Sequence, residues 1–559
     1  MTRITCTSSF IYIIVYPSSI YDTFALSISA SYIYTTVAEI TGSEVLVFVE
    51  WFIYAFLLFI IPLFLFIVPL KRWYKLPPPP SPPGLPIIGN IFMMDQLTHR
   101  GLDHLSKLYG GIFQLRLGYL NAVTISKPEM ARQVLQVHDN IFSNRPATMT
   151  ITYLTYDRSD LAFANYGPFW CQMRKLCVLK LLSRRCTDSW ASVSDNVDST
   201  VKTVATKIGS SIDIHELGCN MTKAIIFRAA FGAQISIEDR DEFTSIVEEF
   251  SRLFGAFHIG DFIPWLKWMD FQGINKRLKR ARLALDQFID RIIDEHLANP
   301  KEVDAPNADM VDGMLVFLRE VDGGKATSET GDLQEFAGIT RNNIKAVIMD
   351  IMFGGTGSIA NIIEWTMAEL LKNPNEMKLV QQGLAEVIGM DCAVKESDLD
   401  SLFYLKCVIK ETLRLHPPTP LLLHETAENC EVAGYFITKQ SRVMINVWSI
   451  GRDKSSWEDA DLFKPDRFAP DGDSANIDFK GNFFQLLPFG LGRRSCPGIQ
   501  LGVYAVELAL ANLLHSFDWT LPDGMKSSEL DMGDMVGLTA PKAVHLVAVP
   551  SLRLNYPSV

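Results

Sequence analysis

The chain has 559 residues, 48% of them hydrophobic and 21% charged, with a formal net charge of −11. That composition is globular with some excess of apolar residues, and it is too acidic for a nucleic-acid binder, whose domain would carry a basic balance. Nine cysteines, at positions 6, 171, 177, 186, 219, 392, 407, 430 and 496, are scattered and form no CxxC pair. They make neither a disulfide framework nor a zinc site, and they point to a reducing compartment.

Residues 1–44 are rich in Ser, Thr, Tyr and Ile and hold no motif; they form an extension of unknown role. The next segment, 45–70, is a transmembrane anchor. From Trp51 to Leu70 (WFIYAFLLFIIPLFLFIVPL) no residue is charged. Twenty apolar residues at helical rise span a hydrocarbon core of about 30 Å. Asp22, Glu39, Glu44 and Glu50 precede it, and Lys71, Arg72 and Lys75 follow. The basic flank stays cytoplasmic, which leaves the main body in the cytosol. A cleaved signal peptide fits badly, because the segment is long, far from the terminus and not followed by a small-residue cleavage site.

Residues 71–90 contain LPPPPSPPGLPIIGN, Leu76 to Asn90. Proline removes backbone donors and fixes φ, so this reads as a stiff, extended hinge. Residues 91–555 read as one large domain, mostly α with small β-sheets. Lys345 to Asn373 carries apolar residues at helical spacing and suits the centre of a big helical fold. A polar stretch, Val303 to Gly313, reads as a surface loop. Strand signals come late, at Glu431 to Ile437, Ser441 to Ile450 and Leu538 to Pro550.

The chemistry concentrates in FGLGRRSCPG, Phe489 to Gly498. A lone cysteine is usually a small buried hydrophobe. Here the neighbours of Cys496 suit thiolate ligation. Gly492 and Gly498 let the backbone turn tightly and approach a flat ligand, with N–H groups aimed at the sulfur. The following PGIQLGVYAVELALANLLHSF reads as a helix with proline in its first turn, whose positive end favours a thiolate. Arg494 is placed to pair with a carboxylate of the ligand. A haem iron with an axial thiolate satisfies all of these.

Phe489, Gly492, Arg494, Cys496 and Gly498 match F-x-x-G-x-R-x-C-x-G, and on this loop the chain is identified as a member of the cytochrome P-450 superfamily. Three further motifs follow the family's order: Trp170 and Arg174 in WCQMR, Glu411 and Arg414 in KETLRLHP, and Arg467 in KPDRF. The resemblance implies a single large helical domain around a buried haem b, with Cys496 on the iron. It implies that Trp170 and Arg174 hold a haem propionate and that Glu411, Arg414 and Arg467 form a structural triad. His424 falls where a propionate partner sits, although a purely structural histidine is the alternative. Thr419, Leu421, Leu422 and Leu423, with parts of Thr148 to Tyr156 and the helix around Gly355, would line the substrate pocket. Electrons would come from NADPH through a separate reductase, since no G-x-G-x-x-G follows a strand here. Arg174, Lys175, Lys180, Arg184 and Arg185 are the cluster on which an acidic reductase would dock; ordinary solubilising charge is the other reading.

From Trp73 to about Leu552 the chain more closely resembles the plant ferulate 5-hydroxylases, also called coniferaldehyde 5-hydroxylases. The phrases are MMDQLTHRGL, ARQVLQVHDNIFSNRPAT, TYLTYDRSDLAFANYGPFW, LFGAFHIGDFIPW, PLLLHETAE and ELDMGDMVGLTAP. This implies a single-pass enzyme of the endoplasmic reticulum membrane, with its catalytic domain cytosolic. Such enzymes hydroxylate a 4-hydroxy-3-methoxyphenyl ring beside its hydroxyl, on the way to syringyl lignin. One departure stands out. The superfamily's central helix carries an acid followed by Thr or Ser, and here the stretch is Gly354-Gly355-Thr356-Gly357-Ser358. The alcohol survives as Ser358, while Gly357 holds no carboxylate to deliver protons during oxygen activation. A slowed or uncoupled oxygenase follows, or else a harmless local variant. Two other functions stay open: a haem-thiolate isomerase or dehydratase acting on a peroxide, and a non-catalytic membrane-tethered partner.

Overall fold

A computed structural model describes residues 51–56, 58, 76–178, 182, 187–232, 237–256, 258–270, 273–301, 309–315, 339–535 and 537–554. Residues 51–56 and 58 are helical. The rest of the expected extension and anchor lies outside the described residues, as do Lys71, Arg72, Lys75, Lys180, Arg184 and Arg185. The unit that carries the site runs from Lys75 to the end of the chain.

Its helices are α1 (His99–Tyr109), α2 (Met149–Leu154), α3 (Pro168–Leu176), α4 (Thr187–Ala205), α5 (Ile214–Phe231), α6 (Ile237–Phe254), α7 (Ile274–Ala298), α8 (Arg341–Lys372), α9 (Pro374–Ile388), α10 (Phe403–Leu415) and α11 (Ile499–Ser516). Local chemistry starts several of them. Thr98 accepts from Gly101 N–H, Thr148 from Ile151 N–H and Asp213 from Glu216 N–H. Thr340 and Asn343 close a reciprocal capping box at the start of α8. Each such cap satisfies an orphan donor, worth about 1 kcal/mol.

The strands are β1 (Ile112–Leu117), β2 (Leu120–Ile125), β3 (Ile212–Asp213), β4 (Leu421–Glu425), β5 (Cys430–Val432), β6 (Tyr435–Ile437), β7 (Arg442–Asn446), β8 (Phe517–Thr520) and β9 (Val547–Leu552). One sheet runs β1-β2-β7-β4, with β2 and β7 parallel and the other pairs antiparallel. A second runs β3-β9-β8, and β5 with β6 forms a hairpin.

α8 organises the core. Its first half buries Ile344, Val347, Ile348, Met349 and Met352 among Phe227, Phe243, Phe250 and Phe288. Its second half buries Ile359, Ile362, Ile363, Met367 and Leu370 against Leu405, Val408, Leu508 and Leu514 of α10 and α11. Between these buried halves lies a short interval in which Gly354 is exposed and Phe353, Gly355, Gly357 and Ser358 are half-buried. The break in burial falls where the sequence carries its three glycines.

Several expectations shift. Glu431 to Ile437 is two strands, because Ala433 and Gly434 take positive φ (50° and 80°) and turn the chain back. Ser441 to Ile450 is a strand only to Asn446, whose Oδ1 accepts from Ser449 N–H and starts a helical turn. In Leu538 to Pro550 the strand begins only at Val547. Residues 310–315 are helical rather than loop, and bury Met310, Val311, Met314 and Leu315. The proline stretch is extended but does not swing free: Pro77 O accepts from Phe436 N–H at 2.9 Å, and Pro80 O from Gln114 N–H at 2.8 Å. Asn90 also ties to Arg116 through its side chain and its backbone.

Candidate active site

The cysteine loop is closed by its own backbone. Cys496 N–H donates to Phe489 O at 2.9 Å, and Ser495 N–H to Gly492 O at 3.2 Å. Gly492 has φ +72°, and a Cβ there would sit 2.6 Å from Leu135 O, so a side chain is excluded on both counts. Gly498 differs from expectation: it has φ −91° and caps α11, which starts at Ile499. Pro497 therefore precedes the helix rather than lying in its first turn. Cys496 is half-buried. Burial pushes its thiol above the ordinary value, while the Gly498 N–H and the charge of Arg174 pull it the other way. Burial wins, so the helix end alone does not hold a thiolate.

Positive groups converge beside the loop. Trp170 is buried, with Nε1 donating to Leu161 O at 2.9 Å. The Arg494 guanidinium lies 4.3 Å from the centre of one of its rings, and that of Arg174 lies 5.5 Å away. Arg174 also donates to Ser495 Oγ at 3.1 Å, so it faces the cysteine loop. Arg494 donates to Ser143 O (2.7 Å), Leu161 O (3.1 Å) and Ala164 O. Burial and then repulsion from Arg145 bring its pKa down to about 9. His424 Nδ1 meets Phe142 O at 2.7 Å. Burial, with Arg145 and Arg494 nearby, holds the ring well below the usual imidazole range, so it is neutral.

Sequence reasoning missed two members of this cluster. Arg145, in NRPAT, donates to Leu423 O, and burial lowers its pKa to about 10. Asp160 is wholly buried, its pKa raised to about 7 by burial; it interacts with Asp350 of α8, which burial and Asp160 raise further. Asp350 Oδ2 accepts from the N–H groups of Leu161 and Ala162, pinning the loop that carries Trp170's acceptor. No motif marks either residue; only the fold brings them in.

The triad assembles as expected. Arg414 makes a bidentate pair with Glu411, both contacts at 2.7 Å, and Arg467 Nε reaches Glu411 Oε1 at 3.1 Å. Glu411 and Arg414 are wholly buried. Arg414 also donates to Gly451 O, Ala460 O and Leu462 O, which stitches α10 to the 451–467 segment. That segment packs Trp457 and Phe468 against Leu486, with Phe479 alongside. Phe479 in turn stacks edge-on to Phe489 at 5.2 Å. A continuous path of packed groups thus runs from the triad to the cysteine loop.

On α8, an ideal Cβ at Gly354 or Gly357 meets no atom within 4 Å, whereas one at Gly355 strikes Ile226 Cδ1 at 2.3 Å. Ser358 Oγ donates to Gly354 O at 2.8 Å; Thr356 is buried and bonds Met352 O. Ser358 is therefore the hydroxyl of this stretch on the open side. α8 is continuous through the glycines, so they do not break it.

The Cytochrome P450 family model matches residues 79–547. The chain belongs to the cytochrome P450 family. It is 56% identical over 504 residues to Cytochrome P450 84A1 of Arabidopsis thaliana, covering 89% of this chain and 96% of that one. It is 50% identical to Cytochrome P450 84A4 of the same plant, over 90% and 98% of the two chains. Flavonoid 3'-monooxygenase CYP75B137 of Crocosmia x crocosmiiflora is 39% identical, over 87% and 95%. A zebrafish cytochrome P450 solved with progesterone shares the fold, with a TM-score of 0.67 at 24% identity, over 81% of this chain and 99% of that one.

Haem is the cofactor of cytochromes P450, and the residues present fit it. One thiol stands on a loop with open space at Gly498, facing buried cations whose mutual repulsion a ligand with two carboxylates would relieve. Arg494 would exchange a backbone carbonyl for such a carboxylate. The pocket segment is less uniform than expected. Leu421 and Leu423 pack with Phe113, Phe262 and Met444, whereas Leu422 packs with Leu487 and Leu491 beside the cysteine loop. Alternation along β4 divides them. Thr419 is half-buried just before that strand.

Proposed function

We propose that this cytochrome P450 monooxygenase hydroxylates the ring of a 4-hydroxy-3-methoxyphenyl phenylpropanoid, as a ferulate or coniferaldehyde 5-hydroxylase does. The observation that carries this reading is 56% identity to Cytochrome P450 84A1 over 504 residues, far too long to be confined to the haem loop. The flavonoid 3'-monooxygenase at 39% identity adds a relative named for oxygenating a flavonoid. Haem bound through Cys496 supplies dioxygen activation and insertion of one oxygen atom.

The chain's own residues do the rest. Arg174, Arg494 and His424, with Arg145 nearby, would hold the carboxylates of the cofactor. The triad holds the cysteine loop through Phe479 and Phe489. Leu422 closes the loop side with apolar surface, which keeps water away and suits a flat phenolic. Ser358 Oγ passes protons on the open side of α8, with water in place of the missing carboxylate at 357, so coupling is impaired. Two electrons come from NADPH through a separate reductase.

The enzyme is anchored in the endoplasmic reticulum membrane by Trp51–Leu70, with its domain cytosolic. Exposed aromatic residues support contact with a membrane: Tyr119 meets Trp265 edge-to-face at 4.9 Å, and Trp268 and Phe92 are 76% exposed. Membranes containing this chain and a plant reductase should convert coniferaldehyde with NADPH. A correctly assembled protein, shown by a red-shifted Soret band with carbon monoxide, that fails on the acid, aldehyde and alcohol alike would end the substrate reading. Turnover of a lipid hydroperoxide without NADPH would select the isomerase or dehydratase instead.

A further inference from the structure

Away from the haem site, three side chains from distant parts of the sequence meet at one carboxylate. Glu364, in the buried second half of α8, is inaccessible to solvent. Its Oε2 lies 2.9 Å from Nδ1 of His215, the second residue of α5. Its Oε1 lies 3.3 Å from Nδ1 of His545, two residues before β9. Donor atoms from the three residues lie within 4.8 Å of one another. We propose that His215, Glu364 and His545 bind one divalent transition-metal ion of the zinc type.

Two imidazoles and one carboxylate are a ligand set that zinc accepts, with a fourth position left for water. The partners that orient such ligands are already built. His215 turns its other nitrogen, Nε2, toward Cys219 Sγ at 3.4 Å, one helical turn on. An N–H donated there fixes Nδ1 as the free lone pair, the arrangement typical of metal-bound histidine. Glu364 Oε1 accepts from Leu546 N–H at 2.9 Å, which holds the carboxylate in place. The nearby Lys542 is turned to Asp531 O. The two rings stack 4.1 Å apart and only 14° from parallel. No point lies in both planes of this stack, so metal binding requires His545, whose side chain is 40% exposed, to turn out of it. The exposed side is also the entry path.

The alternative is a staple in which the histidines only share Glu364 through protons. Zinc chloride titrated into the tag-free, haem-loaded, chelator-stripped full chain separates the two. One zinc per chain is expected, bound more than about 100-fold more weakly by His545→Ala and by His215→Ala, while Cys219→Ser costs about 10–100-fold and keeps the stoichiometry. Affinity should tighten as pH rises, because imidazole ligands bind metal only in their neutral form. X-ray absorption should show only nitrogen and oxygen at about 2.0–2.2 Å. A zinc affinity unchanged by His545→Ala, or a sulfur ligand at about 2.3 Å, overturns the assignment. Because His545 is half-exposed and outside the core, its variant tests the site even where His215→Ala fails to fold.

Discussion

The proposed function places a gap in proton delivery at Gly357, and restoring an acid there tests that reading. Gly357→Glu should raise the product formed per NADPH consumed. The side chain has room, since a Cβ at 357 meets no atom within 4 Å, and α8 is helical throughout. Replacing glycine inside a helix gains up to about 1 kcal/mol. For a folded unit of this length, with an unfolding entropy of about 2.1 cal/mol/K per residue, that is a rise in Tm of roughly 1 °C. Gly357→Ala should show this gain alone. Gly355→Ala should not, because its new methyl displaces Ile226. Positioned acid–base assistance is worth about 10²–10⁴-fold in rate; water already recovers part, so about a tenfold gain in coupled turnover is expected. The assay measures NADPH oxidation, peroxide and hydroxylated product in parallel with a plant reductase. A folded, haem-loaded Gly357→Glu with unchanged coupling, or an equal gain in Gly357→Ala, refutes the reasoning.

Glu411→Gln strips two buried arginines of their shared carboxylate, and should cost about 3–5 kcal/mol and loosen haem retention; a loss under about 1 kcal/mol in thermal melts would contradict the structural role. Asp160 and Asp350 titrate above the ordinary carboxylate range when folded, so the folded chain binds more protons than the unfolded one. Their contribution is present at low pH; that of Asp160 is lost as pH rises from about 4 to about 7, and that of Asp350 as pH rises through its own raised pKa. Asp350→Asn should flatten that fall, measured by denaturant unfolding at pH 5 and pH 8. Arg145→Leu removes a buried donor to Leu423 O and should cost about 1–3 kcal/mol and lower haem content, measured by absorbance per chain.

The haem loop was legible because its requirements are local. A turn at Gly492, a cysteine at 496 and a helix from 499 are all specified within a dozen residues. The triad was legible for half the same reason: Glu411 and Arg414 share a helix face at i and i+3, but Arg467 comes in from 53 residues further on, and only the family pattern named it. Arg145, Asp160 and Asp350 were illegible. Each is an ordinary charged residue in its own stretch, and becomes part of the site only when the 142–164 segment folds over α3 and α8. The proline stretch misled for a related reason. Proline's own preference gives its extended shape, but the donors that dock it, Gln114 and Phe436, lie elsewhere in the chain. The substrate leucines are a matter of parity, since consecutive residues of a strand point to opposite sides.

The cysteine shows how far local reasoning carries. A sulfur at a helix start, flanked by arginines, reads as an activated thiolate. In the folded chain, Arg493 pairs instead with Asp139 at 2.9 Å, and Arg494 spends its donors on backbone carbonyls. Only Arg174 and one amide favour the anion, and burial outweighs both. The surroundings of the sulfur alone therefore favour the thiol, and ligation by a metal would be what deprotonates it. A free thiolate held in this place would be a nucleophile open to oxidation before the cofactor arrives. A thiol that ionises only on ligation would avoid that hazard.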